Sequence, residues 1–235
     1  MKNLMYLTKS EIAKMIDHSL LRPEMTDDEI VQECNVAKEV NVKAVCVRPL
    51  DVKKCRELLK NTEVLICTVV GFPHGNSTIE TKLYETEMAM DHGAVEIDLV
   101  IPIGKARSGH WDYVKAEIKV ITEAVHKRNA IIKVIFENAY LTDEEIIKCC
   151  EICSELKVDF VKTSTGYAPT GAKLDDVRLM RKHCPPEIEI KAAGGIRTLN
   201  DFLAFYEAGS TRMGTRSTKT ILEEAEKREK TRNLS

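Results

Sequence analysis

Aromatic residues are scarce, at 5% of 235 residues with a single tryptophan, while hydrophobic residues reach 43% and charged ones 31%. That is the composition of a globular chain with ample core. Long apolar runs are missing: none approaches the roughly 18 residues a membrane helix needs, so no membrane partner is expected. Excess charge of one sign is missing too. A net charge of -2 provides no basic face, which excludes nucleic acid as the main partner. The opening residues, MKNLMYLTKSEI, lack the apolar stretch of a signal peptide. No Gx₄GK[ST] or GxGxxG loop is present, so no nucleotide cofactor is implied. The six histidines form no HxH or HxxxH pair. Cys149, Cys150 and Cys153 sit in a helical pattern without a second ligand pair, so the expectation is core packing, no metal and no cofactor. The eight cysteines show no disulfide-framework spacing, and an unexported chain keeps them reduced. No linker or composition break divides the chain. The expectation is one cytoplasmic domain over residues 1–235.

What is present is a regular alternation. Capping boxes, in which a hydroxyl and a carboxylate satisfy free amides at a helix start, are expected at Thr8–Glu11, Thr26–Glu29, Ser77–Glu80 and Thr142–Glu145, with a weaker one at Thr198–Asp201. Between them lie short β-branched runs at 43–47, 64–70, 95–100, 131–136, 158–161 and 188–190. Fainter candidates are Met15-Ile16 before Asp17 and residues 211–213. Apolar residues at Ile30, Cys34 and Ala37, and again across 111–125, repeat with helical period. Residues 223–232 extend the last helix as a solvated, charged face. Strands alternating with helices imply parallel strands and crossover helices. Eight such units in this length favour a closed (β/α)₈ TIM barrel. An open sheet is disfavoured because the stretch after the first strand, DHSLLRPE, has no glycine.

A barrel of this kind places its chemistry at the C-terminal strand ends. The residues expected there are Asp17, Cys46 with Arg48, Gly71, Asp98, Glu137, Lys162, Lys191 and Gly214. Strand parity turns Glu96 inward with Asp98, and Lys133 inward with Glu137. Glu96 and Lys133 should then pair, because an unpaired buried charge is expensive. The stretch DFVKTSTGY puts Lys162 at the end of an apolar strand, before small hydroxyl residues and a glycine. Desolvation and a nearby cation both favour a neutral amine there, and a neutral amine makes a Schiff base with a carbonyl. Lys191, on the next strand, is the expected cationic neighbour, and Asp98 the expected acid/base.

A phosphate site is indicated at the same end. Gly194-Gly195 follows the seventh strand, Gly214-Thr215-Arg216-Ser217 follows the eighth, and Gly166 closes a third side. Glycine lets backbone amides approach an anion, and a helix start favours negative charge.

VKTSTGY around Lys162, IKAAGGIR around Lys191 and GAVEIDLVIPIG around Asp98 together resemble the deoxyribose-phosphate aldolase family of class I (β/α)₈ aldolases. AVCVRP at 44–49 and VVGFPHG at 69–75 support this, and the likeness runs from Ile16 to Ser217. The resemblance implies reversible cleavage of 2-deoxy-D-ribose 5-phosphate to D-glyceraldehyde 3-phosphate and acetaldehyde, without a metal. It implies that Lys162 is the Schiff-base lysine, with Asp98 and Lys191 moving protons. It implies phosphate contacts from Gly166, Gly194, Gly195, Gly214, Thr215 and Ser217, with Asp17 and Cys46 near the substrate. It also implies a homo-oligomer, a dimer or tetramer. The chain departs from the pattern at Tyr167, where phenylalanine or lysine is common, at Thr170 and Lys173, and at Arg216, where serine is common. The terminal tyrosine of some relatives has no counterpart in TRNLS at the end. Two other readings stay open: a different lysine-dependent sugar-phosphate aldolase or transaldolase, and a non-catalytic phosphate-binding barrel.

Overall fold

A computed structural model describes residues 7–232; the last residues of the tail lie outside the described range. Eight strands close into one barrel in sequence order: β1 (Ile16–Leu20), β2 (Ala44–Val47), β3 (Leu65–Val70), β4 (Glu96–Val100), β5 (Ile131–Ile135), β6 (Phe160–Lys162), β7 (Glu189–Ala193) and β8 (Arg212–Thr215). Every neighbouring pair is parallel, and β8 closes on β1 through Asp17 opposite Gly214. The helices are α1 (Lys9–Ala13), α2 (Asp27–Glu39), α3 (Val52–Leu58), α4 (Ile79–Asp91), α5 (Ile103–Arg107), α6 (Trp111–His126), α7 (Asp143–Glu155), α8 (Leu174–His183), α9 (Leu199–Glu207) and α10 (Thr218–Arg232). Among the described residues, no helix is long and apolar enough to cross a membrane.

The helix starts follow their capping chemistry. Both halves of the box form at Thr8–Glu11, Thr26–Glu29 and Thr142–Glu145. Thr198–Asp201, the weaker sequence match, also makes both, because an aspartate reaches back to the Thr198 amide at 2.9 Å. The expected box at Ser77–Glu80 is displaced. Thr78, one residue on, holds the extended backbone and caps the Thr81 amide, so α4 starts at Ile79. The last helix is tied down rather than only solvated: Glu226 accepts from Lys9 at 2.7 Å, and Glu229 from the Lys9 amide.

The main core lies between strands and helices, with β-branched residues such as Val45, Ile97, Ile132 and Ile190 facing outward onto the helix layer. The barrel interior divides in two. Ala44, Cys46, Cys67 and Val69 form a small apolar patch on the β2–β3 side. The rest is ionic, with Asp17, Glu96, Asp98, Lys133, Lys162, Lys191 and Arg212 all buried. β1, β6, β7 and β8 run past the apolar segments that mark them in the sequence, whereas β2 to β5 lie within theirs. Asp17 is the second residue of a five-residue β1, while Asp98 and Lys191 sit mid-strand in β4 and β7, not at strand ends. Side chains that pair inside the barrel cost the ladder nothing, so the backbone pairing continues through them. Lys162 does end β6, but Asp159 precedes that strand and accepts from the Ile132 amide at 2.8 Å and from His126.

Candidate active site

The register sets Lys162 directly opposite Lys191 on β6 and β7. Both ammonium groups converge on one oxygen of Asp98: Nζ of Lys162 at 2.6 Å and Nζ of Lys191 at 2.7 Å from Oδ2. The other Asp98 oxygen accepts from Lys133 at 2.9 Å. Lys133 also pairs with Glu96 at 2.6 Å, as the strand parity requires, and stands 3.6 Å from Asp17. Asp17 accepts from Lys191 at 2.5 Å and from Arg212 at 2.7 Å, and Arg212 reaches Glu96 at 3.0 Å. The Arg212 guanidinium also lies over the Phe160 ring, 5.1 Å from its centre.

This network fixes the protonation of Asp17, Asp98 and Lys191. Burial alone would raise the Asp98 carboxyl, but Lys133, Lys162 and Lys191 outweigh it and hold the group well below the usual carboxylate range. Asp17 behaves alike: burial raises it, and Arg212, Lys191 and Lys133 together bring it below. Burial would lower Lys191, yet Asp17 and Asp98 push it above the ordinary lysine value. Lys191 is thus a fixed cation and Asp98 a fixed carboxylate. Four basic side chains (Lys133, Lys162, Lys191, Arg212) face three carboxylates (Asp17, Glu96, Asp98). Lys133 touches three carboxylates and Lys191 and Arg212 two each, whereas Lys162 touches Asp98 alone.

Lys162 is also the network member that reaches the surface cavity. A pocket of about 440 Å³ opens above it, lined by Gly166, Gly194, Gly195, Gly214, Thr215 and Ser217 together with Arg22, Arg197 and Arg216. The six expected phosphate residues are therefore brought together. Asp17 and Cys46, expected near the substrate, lie lower in the interior and do not line this pocket. Asp17 instead holds Lys191 and Arg212, and the Cys46 thiol stands 4.0 Å from Asp98. Thr215 Oγ1 donates to the Ile196 carbonyl at 2.7 Å, tying the end of β8 to the loop after β7. Gly194 adopts a left-handed φ of 86° against Gly171, where a Cβ would meet the Gly194 carbonyl oxygen at 2.4 Å. The Ala172 amide donates to the Ala193 carbonyl at 3.0 Å. The departures at Thr170 and Lys173 thus flank a loop packed backbone to backbone.

Two donor groups, Cys46–Cys67–Asp98 and Asp17–Cys67–Glu96, are close enough to share a cation. The Lys133 ammonium already occupies that position, donating to Cys67 Sγ at 3.2 Å and to both Asp98 and Glu96. A metal would have to displace a charge that the carboxylates already neutralise. The helical trio Cys149, Cys150 and Cys153 is buried in the core.

The DeoC/LacD family aldolase model matches residues 11–218. The chain belongs to that aldolase family. Deoxyribose-phosphate aldolase from Caldanaerobacter subterraneus subsp. tengcongensis is 49% identical over 217 residues, covering 92% of this chain and 94% of that one. The enzyme of the same name from Thermococcus gammatolerans is 46% identical, covering 92% and 96%. The tetrameric deoxyribose phosphate aldolase from Aeropyrum pernix superimposes with a TM-score of 0.86 at 28% identity, covering 92% of this chain and 91% of that one. Membership makes the chain an aldehyde-lyase and agrees with the resemblance carried by the lysine and aspartate motifs.

Sequence reasoning missed Arg212 and Cys67 as members of the ionic network. Arg212 was hidden in a faint strand, and its inward direction follows only once β8 pairs with β1. Strand parity within 211–213 was the signal available. Glu137 is not a strand end: it follows β5 with a left-handed φ of 58° and accepts from the Thr165 amide and hydroxyl. Burial raises its carboxyl above the ordinary value despite those donors.

Proposed function

We propose that the protein reversibly cleaves 2-deoxy-D-ribose 5-phosphate to D-glyceraldehyde 3-phosphate and acetaldehyde through a Schiff base on Lys162. Lys162, the basic side chain of the cluster with the fewest carboxylate contacts, reacts as the free amine. The freed Lys162 amine adds to the C1 aldehyde of the open-chain sugar, and water leaves to give an iminium. Asp98, held ionised by Lys191 and Lys133, takes the proton of the C3 hydroxyl through a water as the C2–C3 bond breaks. Glyceraldehyde 3-phosphate departs, and the electron pair of the broken bond remains as an enamine on Lys162. The proton taken by Asp98 returns through the water to the enamine carbon, and addition of water to the resulting iminium releases acetaldehyde and the free Lys162 amine. The glycine loops after β6, β7 and β8 hold the phosphate, and the start of α10 complements its charge. The positive Lys191 stabilises electron density that builds on the carbonyl side.

The observation that carries this reading is Lys162 itself: buried, at the last position of β6, 2.6 Å from Asp98 and at the floor of a glycine-lined pocket. The names of the relatives support the substrate. The assembly we propose is a dimer or tetramer, consistent with the exposed Leu50 and Tyr84 side chains, and light scattering in solution checks it. A cytoplasmic location is consistent with eight free, buried cysteines.

Borohydride reduction in the presence of acetaldehyde, followed by peptide mass spectrometry, tests the chemistry. The expected result is one adduct on Lys162, lost in Lys162→Ala. An unlabelled protein, or cleavage of a ketose phosphate while deoxyribose 5-phosphate stays intact, overturns the reading.

A further inference from the structure

The mouth of the barrel holds two chambers, not one. The phosphate chamber draws its lining from loops after β1, β6, β7 and β8. A second chamber of about 250 Å³ draws on the opposite loops, with Pro73, His74, Glu137 and Tyr140 in its wall. Thr165 and Tyr167 line both. Tyr167 stands between them with three anchors on three separate loops. Its amide donates to Thr165 Oγ1 at 3.1 Å, beside its own place on the β6 loop. Its ring meets Phe72, after β3, edge to face at 5.4 Å between centres. Its hydroxyl donates to the Leu21 carbonyl, after β1, at 2.6 Å. A phenylalanine could make the ring contact but not the last bond.

The geometry points to Tyr167 as a specificity-determining wall, which confines the acceptor aldehyde to the phosphate chamber and closes off the side chamber. This inference rests on the aldolase reading above. The two chambers differ in the chemistry they favour. Three arginines rim the phosphate chamber. The side chamber has no lysine or arginine in its lining and carries the Glu137 carboxyl, so it suits an uncharged aldehyde tail and repels a phosphate. Keeping the ring fixed across the mouth favours the phosphorylated acceptor over a neutral, bulky one. Tyr167 is 45% exposed, so little besides the hydroxyl bond and the Phe72 contact keeps the ring from swinging.

Two variants separate the parts. Tyr167→Phe keeps the ring and deletes the strut. KM for deoxyribose 5-phosphate should rise about fivefold, the factor a lost hydrogen bond of about 1 kcal/mol gives, with kcat within about twofold. Tyr167→Ala removes the wall. It should raise that KM about tenfold or more, and raise kcat/KM several-fold for addition of acetaldehyde to benzaldehyde, a neutral acceptor that needs the side chamber. Borohydride trapping with acetaldehyde is run on all three proteins and reports that the fold and the amine are intact. No trapping in the wild-type protein defeats the aldolase reading itself. Normal trapping in all three defeats the wall alone if KM is unmoved in Tyr167→Phe, if kcat falls instead of KM rising, or if benzaldehyde reacts no faster with Tyr167→Ala.

Discussion

Lys162 differs from its neighbouring cations less in burial than in company. Lys133, Lys191 and Arg212 each have two or three carboxylates, while Lys162 has one, which it shares with Lys191 and Lys133. The sequence suggested simple repulsion between two lysines. The structure places a carboxylate oxygen between them, so each lysine meets the other across a shared negative charge. Lys191→Leu tests what that arrangement does: it removes a fixed positive charge beside the reacting amine, so the activity profile should move to higher pH, with maximal activity reduced about tenfold or more. An unchanged profile would remove Lys191 from that role. The identities of Lys162, Lys191 and Asp98 were legible in their motifs. Their common meeting point at one oxygen was not, because the three residues lie on three strands and their separation depends on the barrel's closure.

At the scale of elements, the helix starts were the most legible part of the chain, since a capping box is local chemistry over four residues. The one displaced start, at Thr78, shows the limit: two adjacent hydroxyl residues offer the same bond, and the packing of α4 chooses between them. Strand ends were read short for the opposite reason. Hydrophobic runs mark what faces the helices, whereas β1 and β7 continue past Asp17 and Lys191, whose side chains face one another. The loop between β6 and α8 depends on Gly171, whose missing side chain lets the Gly194 carbonyl come close. In Gly171→Ala, the added Cβ would push the Gly194 turn out of its place in the wall of the glycine-lined pocket. KM for the sugar phosphate should rise about tenfold, while borohydride trapping of acetaldehyde persists. Loss of trapping together with the KM change would mean that the loop shapes the lysine as well as the phosphate site.

The whole molecule carries a second buried ion pair outside the barrel interior. Lys82 on α4 reaches Glu117 on α6 at 2.6 Å and also donates to the Val100 carbonyl at 2.8 Å. Burial raises the Glu117 carboxyl from 4.5 to about 7, with Lys82 opposing the shift. Burial likewise lowers Lys82 below its ordinary value. A carboxyl raised in the fold stabilises fully below its unfolded value and loses that contribution as pH rises through its folded value. Stability should therefore decline between about pH 4.5 and 7, by up to about 3 kcal/mol from this group. The depressed Asp17 and Asp98 carboxyls act in the opposite sense and at lower pH, where protonation removes their stabilising pairs. Glu117→Gln cannot ionise, so its melting temperature should vary less than wild type between pH 5 and 7. Parallel curves for the two proteins would show that Glu117 does not titrate in that window.

The sequence alone determined the alternation of strands and helices, the barrel that alternation requires, and the family, because periodicity, caps and the lysine and glycine motifs are properties of short stretches. It also paired Glu96 with Lys133, since parity along a strand needs no knowledge of the neighbours. Only the tertiary structure decided which charges share which carboxylate, that Asp17 and Cys46 lie beneath the glycine-lined pocket, and that Tyr167 reaches Leu21 across the mouth. Those are distances between residues tens to more than a hundred positions apart. They are fixed by the closure of β8 on β1 and by the relative levels of the strands, which no short stretch of sequence contains.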